Sequence, residues 1–434
     1  MPAKTRREKI WAVVRVSSGN FLEMYDFMVF GYYAAAIGKA FFPSGNPFVS
    51  LMLAFMTFGA GFLMRPIGAI VLGAYADRHG RRAGLILTLA LMSVGILSIA
   101  CVPGYAKIGL LAPALVLIGR LLQGFSAGME LGGVSVYLSE IATEGHKGFY
   151  VSWQSASQQV AVIFAALLGL VLNLWLSPQK MTQWGWRIPL LVGCAIIPLL
   201  LILRRSLEES DEFRAQRHHP RLPEIMRSLA SNAPLVLTGM LMFTMTTVCF
   251  YMITAYTPTF GNSVLHLSSS DSLLVTLFVG ASNLFWLPVM GTLSDKWGRY
   301  PLLFGCAALM LATSYPAMLW LVSGPSFAKL LAVELWFSFV YASYNGAMIV
   351  YMTENIPIKV RTVGFSLAYS LATAVFGGFT PAISTYLIHR TNNRAIPGAW
   401  MALAAALALG ATFVARKLIA RTQRAGTSNS VAVY

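Results

Sequence analysis

Twelve apolar segments constrain the fold of this chain more than any other feature, because each is long enough to cross a lipid bilayer. A helix needs about 20 apolar residues to span the roughly 30 Å of hydrocarbon. Hydrophobic residues fill 57% of the 434 positions and charged residues only 11%, which is more apolar surface than a soluble protein can bury. The segments cover approximately residues 17–40, 48–76, 83–102, 109–141, 148–176, 186–205, 232–260, 270–294, 300–322, 328–355, 361–389 and 397–420. The sequence therefore predicts an all-α membrane protein with twelve transmembrane helices.

A glycine-rich, charged turn occurs twice, as GAYADRHGRR at 73–82 and as GTLSDKWGRY at 291–300. The copies are 218 positions apart, and each follows the second apolar segment of its half of the chain. This internal repeat predicts two homologous six-helix bundles, in residues 1–205 and 232–434. The polar stretch 206–231 would be a cytoplasmic linker between them.

The two turns have the features of a gate. Gly80 and Gly298 are expected to adopt backbone conformations that a Cβ would forbid. An aspartate in each turn can pair with arginines or meet the positive N-terminus of a neighbouring helix. The predicted gating residues of the turns are Asp77, Arg78, Arg81, Asp295 and Arg299.

A second repeat supports the duplication: YLSE at 137–140 matches YMTE at 351–354, and each leads into a basic turn. Glu140 and Glu354 are predicted to pair with basic residues of the turns that follow them, such as Arg361, and so to complete the gate. Contact of these glutamates with substrate is the alternative.

Positive charge is distributed unevenly between the two sides of the predicted membrane protein. Of the 32 Lys and Arg residues, 23 lie in the termini and in the connections on the side of the duplicated turns, whereas 7 lie in the opposite connections. Such a bias marks the cytoplasmic side, so both termini are predicted to be cytoplasmic. The net charge of +16 therefore reflects contact with a lipid bilayer, and nucleic acid is not expected as a partner.

Polar residues inside the apolar segments are expected to have a function, because an unpaired charge there is costly. Asn20, Glu23 and Asp26 are spaced by three and form one helical stripe that must face protein or water. Arg120 lies ~17 Å into the fourth segment at 1.5 Å per residue, near the midplane. Because a guanidinium binds a carboxylate through two hydrogen bonds, the pattern predicts an anionic substrate. The predicted substrate-binding residues are Asn20, Arg120, Gln154, Gln158, Tyr344 and Asn345.

The roles of the buried charges have alternatives. Arg120 could form a structural ion pair with Glu130 or Glu23. Arg65 could line the cavity or tether its helix to a neighbouring backbone. Glu23, Asp26 and Glu130 are candidates for carrying the coupling ion, because a buried carboxyl without a fixed cation partner readily holds a proton.

Residue patterns typical of enzymes are missing from the sequence. It contains no Ser-His-Asp set and no nucleotide-binding loop, and its four cysteines lack Cys-x-x-Cys spacing. His218 and His219 lie together in the linker without partners at metal-ligand spacing. We therefore predict that the protein is not an enzyme and has no metal site and no cofactor.

The duplicated turn resembles the signature loop of the major facilitator superfamily of transporters. GNFLEMYDF at 19–27, FLMRP at 62–66, the segment 120–128 and WGWRIP at 184–189 are similar to the metabolite:proton symporter branch of that superfamily, over essentially the whole chain. The segments 130–140, 148–159 and 361–370 are most similar to the citrate and tricarballylate carriers of enteric bacteria.

This resemblance implies import of a di- or tricarboxylate across the bacterial inner membrane, driven by a proton or a sodium ion, by a monomer that works through alternating access. Two other functions stay open at this point. An osmolyte, zwitterion or dicarboxylate symporter of the same branch would use the same acids of the first segment. A membrane sensor that has lost transport would usually carry an additional signalling domain, which the sequence does not suggest.

Overall fold

The computed structural model of the protein describes residues 6–205, 222–356 and 361–431. Within these ranges the chain forms helices joined by turns and loops, without a strand, which confirms the predicted all-helical class. Nine helical spans of the described chain are long and apolar enough to cross a membrane, and some of them, such as Pro47–Tyr75, combine two of the helices numbered below. A tenth span results if the bent pair Pro178–Gly185 and Arg187–Ile202 is one crossing. The number of twelve spans therefore stays a prediction.

The helices are numbered in chain order. They are α1 Arg6–Tyr32, α2 Ala34–Phe41, α3 Pro47–Leu63, α4 Arg65–His79, α5 Arg81–Cys101, α6 Tyr105–Ile108, α7 Leu111–Glu140, α8 Lys147–Trp175, α9 Pro178–Lys180, α10 Arg187–Arg205, α11 Leu222–Ser231, α12 Ala233–Tyr251, α13 Thr257–Thr259, α14 Ser269–Trp297, α15 Arg299–Val322, α16 Phe327–Asn355, α17 Arg361–Ala372, α18 Thr380–Thr391 and α19 Ile396–Val431. Segments of π-helix interrupt this series at Met181–Gly185, Met252–Tyr256, Phe260–Val264 and Thr373–Gly377.

Helices α1 and α16 are not among the nine, although their 27 and 29 residues are long enough to cross a bilayer. Helix α1 contains Glu23 and Asp26, and α16 contains Glu334 and Asn345, and all four side chains are buried. Such polar residues lower the hydropathy of a helix. They also indicate where function is to be sought in a membrane protein.

The first two predicted segments are each divided by a break. The segment 17–40 consists of the end of α1 and of α2, which meet at Tyr33, and the segment 48–76 consists of α3 and α4, which meet at Met64. The second break makes Arg65 the first residue of α4. Its side chain thereby projects from a helix start into the protein interior, where it is fully buried.

Helix α7 lies directly against α3 and α4 because glycines face these helices. A Cβ at Gly124 would overlap the carbonyl oxygen of Gly61 on α3, and a Cβ at Gly128 would overlap the carbonyl oxygen of Arg65 on α4. Small residues allow this close approach of helix backbones in membrane proteins. The contact holds Arg65 beside the helix that carries Arg120.

The second copy of the duplicated turn closes one end of the seam, our name for the contact between residues 6–205 and residues 222–431. Gly80 and Gly298 have φ angles of +100° and +85°, which confirms the prediction for both glycines. Asp295 accepts hydrogen bonds from the backbone N–H groups of Gly148, at 2.8 Å, and Phe149, at 3.1 Å. The carboxylate thus lies at the positive N-terminus of α8, as predicted.

Arg299 completes this latch. Its Nη2 lies 2.7 Å from Oδ1 of Asp295 and 3.0 Å from Oε1 of Glu354. Of the basic turn predicted to pair with Glu354, Arg361 donates to the backbone carbonyl of Ile356, at 3.3 Å, and Lys359 lies outside the described residues. The partner of Glu354 is the arginine of the duplicated turn.

The gate predicted for the first half is only partly described. Glu140 is exposed at the end of α7. The side chains of Asp77, Arg78 and Arg81 lie outside the described residues. Their gating role stays a prediction.

Aromatic side chains join the two parts of the chain at the opposite end of the seam. The ring of Phe48 stacks on that of His389, with centroids 3.9 Å apart. Phe55 meets Tyr256 edge to face at 5.8 Å. The seam is therefore in contact at both ends.

We expect Gly124→Ala to lower the stability of the protein, because the added methyl group overlaps the Gly61 carbonyl and overpacking of this kind costs about 1–3 kcal/mol. Thermal unfolding of the purified protein in detergent measures the effect. Gly133→Ala on the same helix is the matched control, since no atom lies within 4 Å of its Cβ position. Equal unfolding temperatures for the two variants would contradict the role of close packing at Gly124.

Candidate functional site

An ion pair between α1 and α7 lies in the interior of the protein. Nη1 of Arg120 is 3.0 Å from Oδ2 of Asp26, and both side chains are buried. The same Nη1 donates to Oε1 of Gln123 at 2.7 Å. Of the alternatives for Arg120, an ion pair is present, but its partner is Asp26 and neither Glu23 nor Glu130.

A second ion pair joins α1 to α4. Nη2 of Arg65 lies 2.5 Å from Oε1 of Glu23, and these side chains are also buried. Arg65 is therefore tied to a carboxylate and not to a neighbouring backbone. It belongs with the predicted site residues, and the sequence signal for it was the same as for Arg120, a charge inside an apolar segment.

The two arginines share one aromatic ring. Phe27 lies 4.4 Å from Cζ of Arg120 and 5.0 Å from Cζ of Arg65, measured to the ring centroid. Phe30 also faces Arg120, at 4.6 Å, and Phe62 faces Arg65, at 4.7 Å. Aromatic faces attract a cation, so these rings hold the guanidinium groups where little water reaches. The sequence contains 26 phenylalanines, and no pattern in it distinguishes these ones from the others.

We call Glu23, Asp26, Arg65 and Arg120 the charge cluster. Helices of the second half reach it through tyrosines. Tyr251 and Tyr369 of these helices lie near the guanidinium of Arg65. The Tyr251 ring lies 5.1 Å from that of Phe62. The charge cluster therefore lies at the seam, where both parts of the chain contribute side chains.

A chain of hydrogen bonds crosses the seam close to the predicted amides. Asn345 on α16 donates to Oγ of Ser155 at 3.0 Å and to the hydroxyl of Tyr341 at 3.3 Å. Ser155 in turn donates to Oε1 of Gln154 at 2.8 Å. Asn345 and Gln154, on helices from the two parts of the chain, are thus linked through Ser155.

The structure does not bring all predicted site residues together. Tyr344 donates its hydroxyl proton to the backbone carbonyl of Met242, at 3.0 Å, and so does not join this network. Gln158 is buried one turn beyond Gln154 on α8. Glu130 is buried on α7 ten residues beyond Arg120, a rise of about 15 Å along the helix.

Many polar atoms around the charge cluster lack a hydrogen-bond partner within the described ranges. They are Nε and Nη2 of Arg120, Nε and Nη1 of Arg65, Oδ1 of Asp26, Nδ2 and Oδ1 of Asn20, Nε2 of Gln123, Nε2 of Gln154, the hydroxyl oxygen of Tyr251 and Oδ1 of Asn345. Buried polar groups are normally satisfied, so these unsatisfied atoms in the charge cluster and at the seam indicate a site for a polar ligand. Most of these atoms are donors, which suits an anion.

The charge cluster is neutral when all four groups are ionised. A coupling acid is expected from the sequence to have no fixed cation partner. Glu23 and Asp26 each have one, so this expectation does not hold for them. An anion that enters adds negative charge to a buried site unless a carboxylate takes up a proton. The arrangement can thus exchange one carboxylate for another at an arginine. No group of His, Cys, Asp and Glu residues suited to a metal is found among the described side chains.

Comparison with known proteins finds similar chains that are named transporters. The chain is 57% identical over 411 residues to a citrate-proton symporter of Salmonella typhi, which covers 95% of each chain. It is 59% identical over 412 residues to a citrate-proton symporter of Klebsiella pneumoniae, which covers 95% of this chain and 93% of the relative. These relatives are transporters and not enzymes.

A solved structure has the same fold. The structure of a proton:xylose symporter bound to 6-bromo-6-deoxy-D-glucose superposes with a TM-score of 0.74 at 19% identity, over 96% of this chain and 97% of the other. At that identity the likeness concerns the fold alone. The family model described as Major Facilitator Superfamily matches residues 16–381. The chain therefore belongs to the Major Facilitator Superfamily of membrane transporters.

Proposed function

We propose that the protein imports citrate together with protons across the bacterial inner membrane. The observation that carries the proposal is the buried Arg120–Asp26 pair, in which a guanidinium keeps two unbonded nitrogen atoms beside a carboxylate that can be protonated. The two relatives named citrate-proton symporters support the choice of substrate and of coupling ion.

The proposed architecture is two six-helix bundles, residues 1–205 and 232–434, joined by a cytoplasmic linker at 206–231. Adding α1 and α16 to the nine apolar helices and the bent pair supplies twelve spans. The bias of Lys and Arg toward the duplicated turns supports cytoplasmic termini. Because one chain contributes both sides of the seam, a monomer suffices for transport.

Protonation of Asp26 is the proposed link between the proton and the substrate. The guanidinium of Arg120 does not lose its proton, so it always needs a negative partner. When Asp26 is ionised it is that partner, and when Asp26 is protonated the guanidinium is available to a carboxylate of citrate. Proton binding and citrate binding therefore favour each other, and this linkage is reciprocal.

Arg65 and Glu23 repeat the arrangement one helical turn away. Two guanidinium groups around Phe27 can each hold one carboxylate of a polyanion if both acids are protonated. Side-chain amides would then donate hydrogen bonds to the remaining oxygens of citrate; they are those of Asn20, Gln154, Gln158 and Asn345. Glu130 is the third proposed proton carrier, should neither acid of α1 be the coupling group.

The seam provides the proposed alternating access. Opening of the latch formed by Asp295, Arg299 and Glu354 would expose the charge cluster to the cytoplasm. Separation of Phe48 from His389 would expose it to the periplasm. Asp77, Arg78, Arg81 and Glu140 of the first half and Arg361 of the second half are proposed to act on the same cytoplasmic gate.

We expect Asp26→Asn to abolish accumulation of citrate but to preserve exchange of internal for external citrate. The amide cannot release a proton, so Arg120 stays available and the proton gradient is no longer coupled through this position. Labelled-citrate uptake into proteoliposomes under a pH gradient, compared with counterflow without a gradient, measures both activities.

Glu144→Gln, an exposed acid beyond the end of α7, is the control for Asp26→Asn and should accumulate citrate normally. Accumulation by Asp26→Asn at the wild-type level would assign coupling to another acid. Competition of unlabelled citrate, betaine and proline in the same assay tests the substrate class, and inhibition by betaine or proline in place of citrate would contradict the proposal.

We expect Asp295→Asn to slow net uptake several-fold while equilibrium citrate binding is little changed. The amide keeps the shape of the side chain but weakens both the cap on α8 and the pair with Arg299. Lys296→Gln is the matched control, because this exposed neighbour lies in the same turn. Parallel loss of binding and uptake would show that Asp295 acts on folding or on the substrate site instead of the gate.

A further inference from the structure

Glu334 on α16 is a buried carboxyl that the proposed mechanism does not use. Only 1% of the residue is exposed. None of the ion pairs found among the described residues involves it. Among the described residues its one hydrogen-bond partner is Thr257, and Oε2 has none. An ionised carboxylate in this position would be a charge without compensation inside a membrane protein.

The contact with Thr257 indicates which atom carries a proton. Oγ1 of Thr257 lies 3.0 Å from Oε1 of Glu334 and 3.1 Å from the backbone carbonyl oxygen of Met252. A hydroxyl has one hydrogen and can donate to only one of these two acceptors. Both contacts become hydrogen bonds if Glu334 is protonated and donates to Thr257, while Thr257 donates to Met252. The geometry therefore favours the neutral acid in the closed seam.

Thr257 lies where the fold can change. It begins the three-residue helix α13, which is flanked by the π-helical segments Met252–Tyr256 and Phe260–Val264. Segments of π-helix are rare and frequently lie at functional sites. The next two residues, Pro258 and Thr259, line a cavity of about 160 Å³.

This cavity spans the seam at the end opposite to the duplicated turns. Its lining also includes Tyr32, Tyr33 and Asn173 of the first half and Ser263 of the second. In the proposed orientation it faces the periplasm. Opening of this end would bring water to α13, one residue away from the contact between Thr257 and Glu334.

We propose that Glu334 is a second proton-binding site, which must be protonated for the periplasmic end of the seam to close and which exchanges its proton with water through this cavity when that end opens. The sign of the effect follows from the cost of the buried anion. Low pH favours the protonated acid and hence closure, and high pH favours the hydrated carboxylate and hence opening. This site is independent of the identity of the substrate and of the ion pairs of α1.

Infrared difference spectroscopy of the purified protein tests whether Glu334 holds a proton. The wild type is expected to show a protonated-carboxyl C=O band that is missing in Glu334→Gln. Glu334→Asp should shift the band. A band that is unchanged in Glu334→Gln overturns the proposal.

The distance across the periplasmic rim tests the link to closure. Spin labels at Gly45→Cys and Arg390→Cys, two exposed positions, report it in a background without the four native cysteines and without substrate. In the wild type the ratio of closed to open molecules should fall by up to about tenfold per pH unit over the range in which one proton is released. Glu334→Gln should stay closed throughout this range.

Glu144→Gln, a change at an exposed acid outside the charge cluster, is the control for the rim measurement, and the closure of this variant should keep the pH dependence of the wild type. The proposal is overturned if the label-to-label distance across the rim depends on pH in Glu334→Gln, or if it does not depend on pH in the wild type. If Glu334→Gln does not fold, Thr257→Val replaces it: loss of the hydroxyl that accepts from the protonated acid should move closure to lower pH, and an unmoved midpoint overturns the proposal. Because no citrate is present, failure here is separate from failure of the proposed transport function.

Discussion

The rest of the structure depends on the need to neutralise a guanidinium inside a membrane protein. Arg120 cannot deprotonate, and removing the partner of a buried ion pair costs about 3–5 kcal/mol. Asp26 meets this need when the transporter is empty, and the carboxylate of a substrate can meet it when Asp26 is protonated. In the proposed mechanism, transport exchanges one negative partner for another at this fixed positive charge. The same constraint explains why α1 must lie against α7 and, through Glu23 and Arg65, against α4.

The contacts at the two ends of the seam are of a different kind from those of the charge cluster. The latch around Arg299 is only partly buried, and a carboxylate at a helix N-terminus contributes typically 0.3–1 kcal/mol, up to about 2 kcal/mol in partly buried geometry. The stack of Phe48 on His389 is likewise at the rim. Such contacts are weak enough to be opened by the binding or release of a ligand. The centre therefore holds the strong, buried interactions and the ends hold the weak ones, which is what an alternating-access cycle requires.

The sequence predicted the features that repeat or that break the apolar pattern. The helical class, the left-handed glycines of the duplicated turns, the position of Asp295 at a helix start and the importance of Arg120 were all read from such features. The partner of Arg120 could not be predicted, because Glu23 and Asp26 lie one helical turn apart on α1 and either carboxylate could reach the guanidinium. The structure pairs Asp26 with Arg120 and leaves Glu23 to Arg65 on α4. The π-helical segments and Phe27 carry no signal of their own in a chain so rich in apolar residues.

Proton uptake on citrate binding is the most direct test of partner exchange at Arg120. Calorimetric titration of the purified protein with fully ionised citrate, repeated in buffers of different ionisation enthalpy, counts the protons that enter the protein with the ligand. The account predicts net uptake in the wild type, together with tighter binding as the pH falls, and a smaller uptake in Asp26→Asn. Citrate binding without uptake of protons, or with the same uptake in wild type and Asp26→Asn, would contradict the exchange of carboxylates at Arg120.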